Sequence, residues 1–194
     1  MNETEAKDVL HRYLRAGREA LLWKLDGLGE YEARRPLTQT GTNLLGLVKH
    51  VAGVASEYFG LVFGRPFPQE LPWLAEGAED NADMWASAQE TREEIVGLYH
   101  RVWAHADATI AALGLDAAGR VPWWPGERAE VTLHQILVHM TAELNRHAGH
   151  ADILREQLDG SAGRAAGNSN LPERDAAWWR DYRARVEAAA AEAR

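Results

Sequence analysis

A chain of 194 residues, 46% hydrophobic and 26% charged, has the composition of a globular protein and the length of one domain, 1–194, with a substantial core. Its formal net charge of −8, without a basic stripe, argues against a nucleic-acid surface, and no apolar run reaches the ~18 residues of a membrane span. It has no cysteine, which excludes disulfides, cysteine nucleophiles and thiolate ligands. Any metal must be held by His and carboxylates, and any thiol chemistry must use a thiol brought in as cosubstrate.

The opening MNETEAKD is acidic and polar, unlike a signal peptide, so a cytoplasmic location is expected. Strand signals are scarce and Ala, Leu, Glu and Arg fill long periodic segments, which predicts an all-α fold. Residues 3–28 carry Val9, Leu10, Tyr13, Leu14, Leu21, Leu22, Leu25 and Leu28 at helical spacing. They predict a first amphipathic helix ended by Gly27 and Gly29, with His11 at its surface or edge. A loop through Pro36 follows.

Residues 42–63 predict a second helix, capped by Thr42 or Asn43. Leu44, Leu47, Val51, Val54, Tyr58 and Leu61 form its apolar face, and His50 lies at the edge of that face. By itself His50 reads as a half-buried, hydrogen-bonded core histidine. Gly46, Gly53 and Gly60 recur every seven residues on the flank beside it. Each costs about 1 kcal/mol relative to Ala inside a helix, a cost explained if another backbone or a ligand comes close.

The stretch 64–86 holds Pro66, Pro68, Pro72, Trp73 and Trp85 and reads as a long connection. Connections of that length often wrap a functional site, although its tryptophans equally read as packing anchors. A third helix is predicted over 87–114, with Ser87 and Glu90 resembling a capping box. Its His100 and His105 are five apart, a poor spacing for shared ligation, and read as structural or surface residues. The segment 114–130 contains Pro122-Trp123-Trp124-Pro125-Gly126, which cannot be helical throughout. Its paired tryptophans fit either a pocket mouth or a cover over the bundle end.

Residues 131–160 form the strongest helical pattern, capped by Thr132 and ended by Gly160, with Leu133, Ile136, Leu137, Met140, Leu144, Ala148 and Ala151 inward. With Met140 at zero, roughly 100° per residue places His147 near −20° and Glu143 near −60°, followed by His150 and His139 near about −80° and −100°. A carboxylate beside a core needs a positive partner. No Lys or Arg is read on that face one turn away, so a metal ion is the inferred partner, and Glu143-x-x-x-His147 has the spacing that aims two ligands at one point. HExxH and paired ExxH motifs are absent, against a zincin or a di-iron bundle. Asp152 and His150 can orient ligand imidazoles from outside, His150 reading equally as an exposed rim residue. A last helix over about 172–192 is expected to begin at Pro172, with Asn170 or a neighbour as cap and Trp178, Trp179 and Tyr182 on one side. The whole is a four-helix bundle with an additional C-terminal helix. His50 with Glu143 and His147 gives two imidazoles and one carboxylate, leaving open positions as catalytic sites do.

GTNLLGLVKH (41–50) together with VTLHQILVHMTAELNRHAGHADILREQLDG (131–160) resembles the DinB superfamily, in its actinobacterial DinB-like branch. LDGLGEYEARRPLTQTGTNLLGLVKHVAGV and NLPERDAAWWRDYRARVE extend the similarity over most of the chain. The resemblance implies a DinB-like four-helix bundle with a metal site. Most of the superfamily has a His-x-x-x-His pair followed by Arg-Gly-Gln, whereas this chain has Glu143 and His147 followed by Ala148-Gly149-His150. That pattern is similar to the zinc site of mycothiol-dependent maleylpyruvate isomerases, and the ligands it implies are His50, Glu143 and His147. The resemblance further implies a metal-dependent S-transferase rather than an isomerase. Its cosubstrate would be mycothiol or a similar low-molecular-weight thiol, acting on a small electrophile in detoxification or stress. The ion expected is Zn2+, although Ni2+ or Fe2+ suit the same ligands. A homodimer is expected, with no nucleic-acid or membrane partner. His139 and His150 are the candidate catalytic residues, His139 as acid, base or orienting group, or else as a rim histidine. Two other functions fit: a non-catalytic metal-bearing bundle that binds a small molecule, and a metal-dependent hydrolase.

Overall fold

In a computed structural model, which describes residues 2–194, the long periodic segments are helices and the proline- and glycine-rich stretches between them are turns. Helix α1 (Glu3–Leu22) opens with a capping box: Asn2 accepts from the Glu5 N–H, and Glu5 accepts from the Asn2 N–H. It ends before the expected residue 28. The buried Lys24 turns inward there, donating to the Ala20 and Gly163 carbonyls and pairing with Asp152 at 3.0 Å, and Trp23–Leu25 tighten into a 3₁₀ turn. A five-residue helix, α2 (Glu30–Arg34), occupies part of the expected loop.

Helix α3 (Leu44–Tyr58) is capped by Asn43, whose side chain accepts from the Gly46 N–H at 2.7 Å. Helix α4 (Arg92–Ala112) starts later than the expected Ser87. A second Ser/Thr-x-x-Glu signature, Thr91 and Glu94, makes the capping box. Ser87 and Glu90 form a turn instead, with Glu90 held by the Ser87 N–H and by Lys49. Within the expected loop 114–130, strands β1 (Ala118–Arg120) and β2 (Glu130–Thr132) pair antiparallel with Gly119 opposite Val131. Helix α5 (Leu133–Asp159) keeps both expected caps: Thr132 accepts from the Gln135 N–H, and Gly160 ends it at a φ of +79°. Helix α6 (Ala176–Glu192) is capped by Asp175, so Pro172 lies outside it, and it buries none of its residues. Its aromatic side is real, with Trp178 stacked on Tyr182 at 5.2 Å.

Helix α1 packs along α5 and α3 along α4, while α3 also meets α5. Leu14, Leu21, Leu47, Val51, Val102, Ile136 and Leu144 meet in one hydrophobic core. The fold is thus the all-α four-helix bundle with an added C-terminal helix that periodicity predicted. A polar tie crosses from α1 to α4: Arg18 donates to both oxygens of Asp107 at 2.9 and 2.8 Å, and His11 meets the same carboxylate at 2.7 Å. His11 is therefore a structural histidine at a helix seam. Among the described residues no helix is long and apolar enough to cross a membrane.

Candidate metal centre

Gly46 and Gly53 on α3, and Gly60 just past its end, let the long connection lie against the helix. A Cβ on Gly46 would collide with the Met84 carbonyl, which also accepts from the Asn43 side chain at 3.1 Å. One on Gly53 would meet Trp73 and Leu74 at 3.4 and 3.5 Å, and one on Gly60 would crowd the backbone of Arg65 and Phe67. The neighbouring Lys49 is buried and fixes the same segment. It donates to the carbonyls of Ala82 and Trp85 at 3.0 and 2.9 Å, pairs with Glu90 at 2.7 Å and lies 4.3 Å from the centre of the Trp73 ring. With residues 82–85 pinned, Asp83 reaches His50, its Oδ2 2.5 Å from Nδ1. That bond places the ring proton on Nδ1 and leaves Nε2 as the available nitrogen.

On α5 the i, i+4 spacing brings His147 Nε2 to 2.9 Å from Glu143 Oε1. His147 is 4% exposed, and its ring stands edge-on to that of His50 with centroids 4.8 Å apart. Ligand-capable atoms of His50, Glu143 and His147 all lie within 4.8 Å of one another. Burial, reinforced by His50, pulls the His147 imidazole down to about 4. Hydrogen bonds from Arg146 and then His147 hold the Glu143 carboxyl at about 2. At neutral pH this pair is a neutral imidazole and a carboxylate, which are the protonation states a metal ion takes. His147 Nδ1 is buried with no hydrogen-bond partner among the described residues. Two nitrogens and one oxygen, without sulfur, fit zinc and related divalent ions.

Arg146 corrects one expectation. The helical wheel places it off the inward stripe, yet its long arm reaches back one turn to donate to Glu143 at 2.7 and 3.1 Å. The same guanidinium lies 3.2 Å from His147 Nε2. A cation therefore does share the Glu143 face.

The remaining candidates are dispersed. His139 is wedged between Tyr58 and Trp124, with ring centroids 4.8 and 5.1 Å away, one turn before Glu143 and outside the three-residue cluster. Burial lowers its pKa, opposed by Glu143. His150 is exposed at the rim, its ring 5.3 Å from that of His147. Asp152 does not orient these imidazoles; it pairs with Lys24 and accepts from the Gly163 N–H, anchoring the chain after α5. Asp83 is the carboxylate at the imidazole, and no periodic signal marks it in the sequence. Glu57, also on α3, is half-buried, and burial and then Asp83 push its carboxyl up. Two clefts include His139 or Glu57, and neither is lined by His50, Glu143 or His147. One of about 570 Å³ is lined by Glu57, Leu61, Phe67, Leu71 and Leu74. The other, of about 790 Å³, has Trp124 and His139 in its wall, so one of the paired tryptophans lines a pocket while Trp123 stands edge-on to Tyr58.

A family model described as mycothiol-S-transferase matches residues 9–160, a span that contains His50, Asp83, Glu143 and His147. No curated protein matches the chain. The family match covers well over half of the 194 residues, and the protein therefore belongs to the mycothiol S-transferase family, within the DinB-like superfamily.

Proposed function

We propose that the protein joins the sulfur of mycothiol, or of a similar low-molecular-weight thiol, to a small electrophile, using a divalent ion held by His50, Glu143 and His147. The S–H bond breaks as the S–C bond forms, and the proton ends on the adduct or leaves with the electrophile's leaving group. One observation carries this reading: these three side chains converge within 4.8 Å in a chain of this family. Two imidazoles and a carboxylate form a ligand set of catalytic zinc sites, which keep a further position for a reacting group, and zinc is the ion we assign. Bound there, the ion favours the thiolate of a cysteinyl thiol at neutral pH. Asp83 fixes the tautomer and direction of His50. Burial keeps His147 neutral, and Glu143 stays ionised. The groove floored by Leu61, Phe67, Leu71 and Leu74 offers the apolar surface a small carbon electrophile requires. A role in detoxification or stress follows from that chemistry.

The test is metal content by elemental mass spectrometry of protein purified without chelator, with His50→Ala and Glu143→Ala alongside. About one zinc per chain, lost in both variants, is the expected result. Thioether product from mycothiol and a panel of electrophiles should then depend on that ion. Protein that carries no metal, or variants that keep it, would overturn the ligand assignment.

A further inference from the structure

Mycothiol carries its cysteinyl sulfur on an uncharged pseudodisaccharide, so an enzyme using it must hold hydroxyl-rich rings while the sulfur reaches the reacting centre. We propose that the cleft walled by Trp124 and His139 binds that ring portion of the thiol, an inference that rests on the function proposed above.

Position is the first argument. His139, Glu143 and His147 follow one another at four-residue intervals on α5, so His139 in the cleft wall lies one turn, about 6 Å along the axis, from Glu143. Construction is the second. The aromatic wall comes from three segments that brace one another: Tyr58 of α3, the 121–125 turn and His139 of α5. The Tyr58 ring lies 4.8 Å from His139, 5.3 Å from Trp123 and 6.0 Å from Trp124, and Trp123 Nε1 donates to the Tyr58 hydroxyl at 3.4 Å. Pro122 and Pro125 stiffen the turn. Trp124 is therefore presented as a fixed, half-buried platform, the surface on which the C–H face of a saturated ring packs.

Chemistry is the third argument. Around the platform stand Glu127, Arg128 and Gln135, a mixture of acceptors and donors suited to hydroxyl groups. Glu130 also lines the cleft but is already paired with Arg120. One carboxylate and one guanidinium remain, so the charges balance and the cleft favours an uncharged polar ligand over an anion. The separate groove beside Glu57, with Leu61, Phe67, Leu71 and Leu74, is the more apolar one. The two clefts therefore divide the two substrates, with rings of the thiol on the tryptophan side and the electrophile on the leucine side.

The probe is N-acetylglucosaminyl-inositol, the sulfur-free ring portion, titrated calorimetrically into the full chain with and without chelator. Wild type is expected to bind it equally in both conditions, because the probe has no sulfur for the ion. Trp124→Ala should weaken binding at least about tenfold, equivalent to ~1.4 kcal/mol, while Trp124→Phe keeps most of it. Phe67→Ala, in the more apolar groove, should leave it unchanged. Absence of binding to wild type, equal binding by Trp124→Ala, or loss in Phe67→Ala would overturn the assignment. Zinc content and thioether formation are measured on the same preparation. Probe binding by a metal-free, inactive protein would sink the transferase reading and leave this cleft standing. An active, metal-bearing protein that ignores the probe would do the reverse.

Discussion

His50 and Asp83 are 33 residues apart in the chain, yet Asp83 Oδ2 lies 2.5 Å from His50 Nδ1, which makes the imidazole's direction a property of the long connection rather than of its own helix. Outer carboxylates that orient a ligating histidine are typically worth about 10–100-fold in metal affinity. Asp83→Ala is therefore expected to weaken zinc binding within that range in a chelator-competition titration. Asp83→Asn should lose less, since its amide oxygen still accepts from Nδ1–H. Equal affinities in wild type and Asp83→Ala would mean that His50 is held by other groups.

The glycines divide into those the site needs and those it does not. Gly46→Ala drives a methyl into the Met84 carbonyl, next to Asp83, and overpacking of this kind costs about 1–3 kcal/mol. It should lower both the urea midpoint and zinc affinity. Gly149 sits within α5 with nothing near a built Cβ. Gly149→Ala should stabilise the fold by up to about 1 kcal/mol and leave metal binding alone. Urea denaturation of the two variants, read beside wild type, separates the cases by sign.

What the sequence made legible is whatever depends on neighbours along the chain. The Glu143–His147 pair, the caps Thr132 and Gly160 of α5 and the glycines Gly46 and Gly53 of α3 are local signals, and the structure places each where the spacing put it, whereas Gly60 falls past the end of α3 because that helix stops at Tyr58. Asp83 was invisible because the path of an aperiodic connection is fixed by tertiary contacts, chiefly those of buried Lys49. Arg146 was missed because a helical wheel records the direction of a Cα–Cβ bond and ignores the reach of a long side chain. The start of α4 was ambiguous for a different reason: Ser87-x-x-Glu90 and Thr91-x-x-Glu94 are equivalent capping signatures, and only the second opens the helix. The short β1–β2 pairing, three residues a side, is below the length at which alternation can be recognised.

Acid should destabilise the fold through His147 before it does so through Glu143. The folded pKa of His147, about 4, lies below its ordinary 6.5, so between pH 6.5 and 4 the unfolded chain binds the proton first and stability falls with pH. At about 1.4 kcal/mol per unit, the loss through this window is at most ~3.5 kcal/mol. Glu143, at about 2 against an ordinary 4.5, contributes stability above pH 4.5 that is lost as pH falls toward 2. Urea denaturation at stepped pH, in chelator so that metal plays no part, should show the first decline flattened in His147→Gln. An unchanged curve in that variant would place the acid sensitivity elsewhere.

Arg146 and a metal ion would compete for the same carboxylate, and magnitudes decide between them. The Arg146 side chain is 56% exposed and pairs with Glu143 at i, i+3, an arrangement worth about 0.3–0.5 kcal/mol. A divalent ion bound even micromolar gains about 8 kcal/mol. The guanidinium therefore yields to the ion, and its removal takes away only a weak competitor. Arg146→Ala is expected to raise zinc affinity by no more than about two- to threefold, measured by the same chelator competition used for Asp83. A tenfold fall would reverse the assignment: Arg146 would then be a partner that holds Glu143 in place while the ion is bound, and its effect would belong with that of Asp83 on His50.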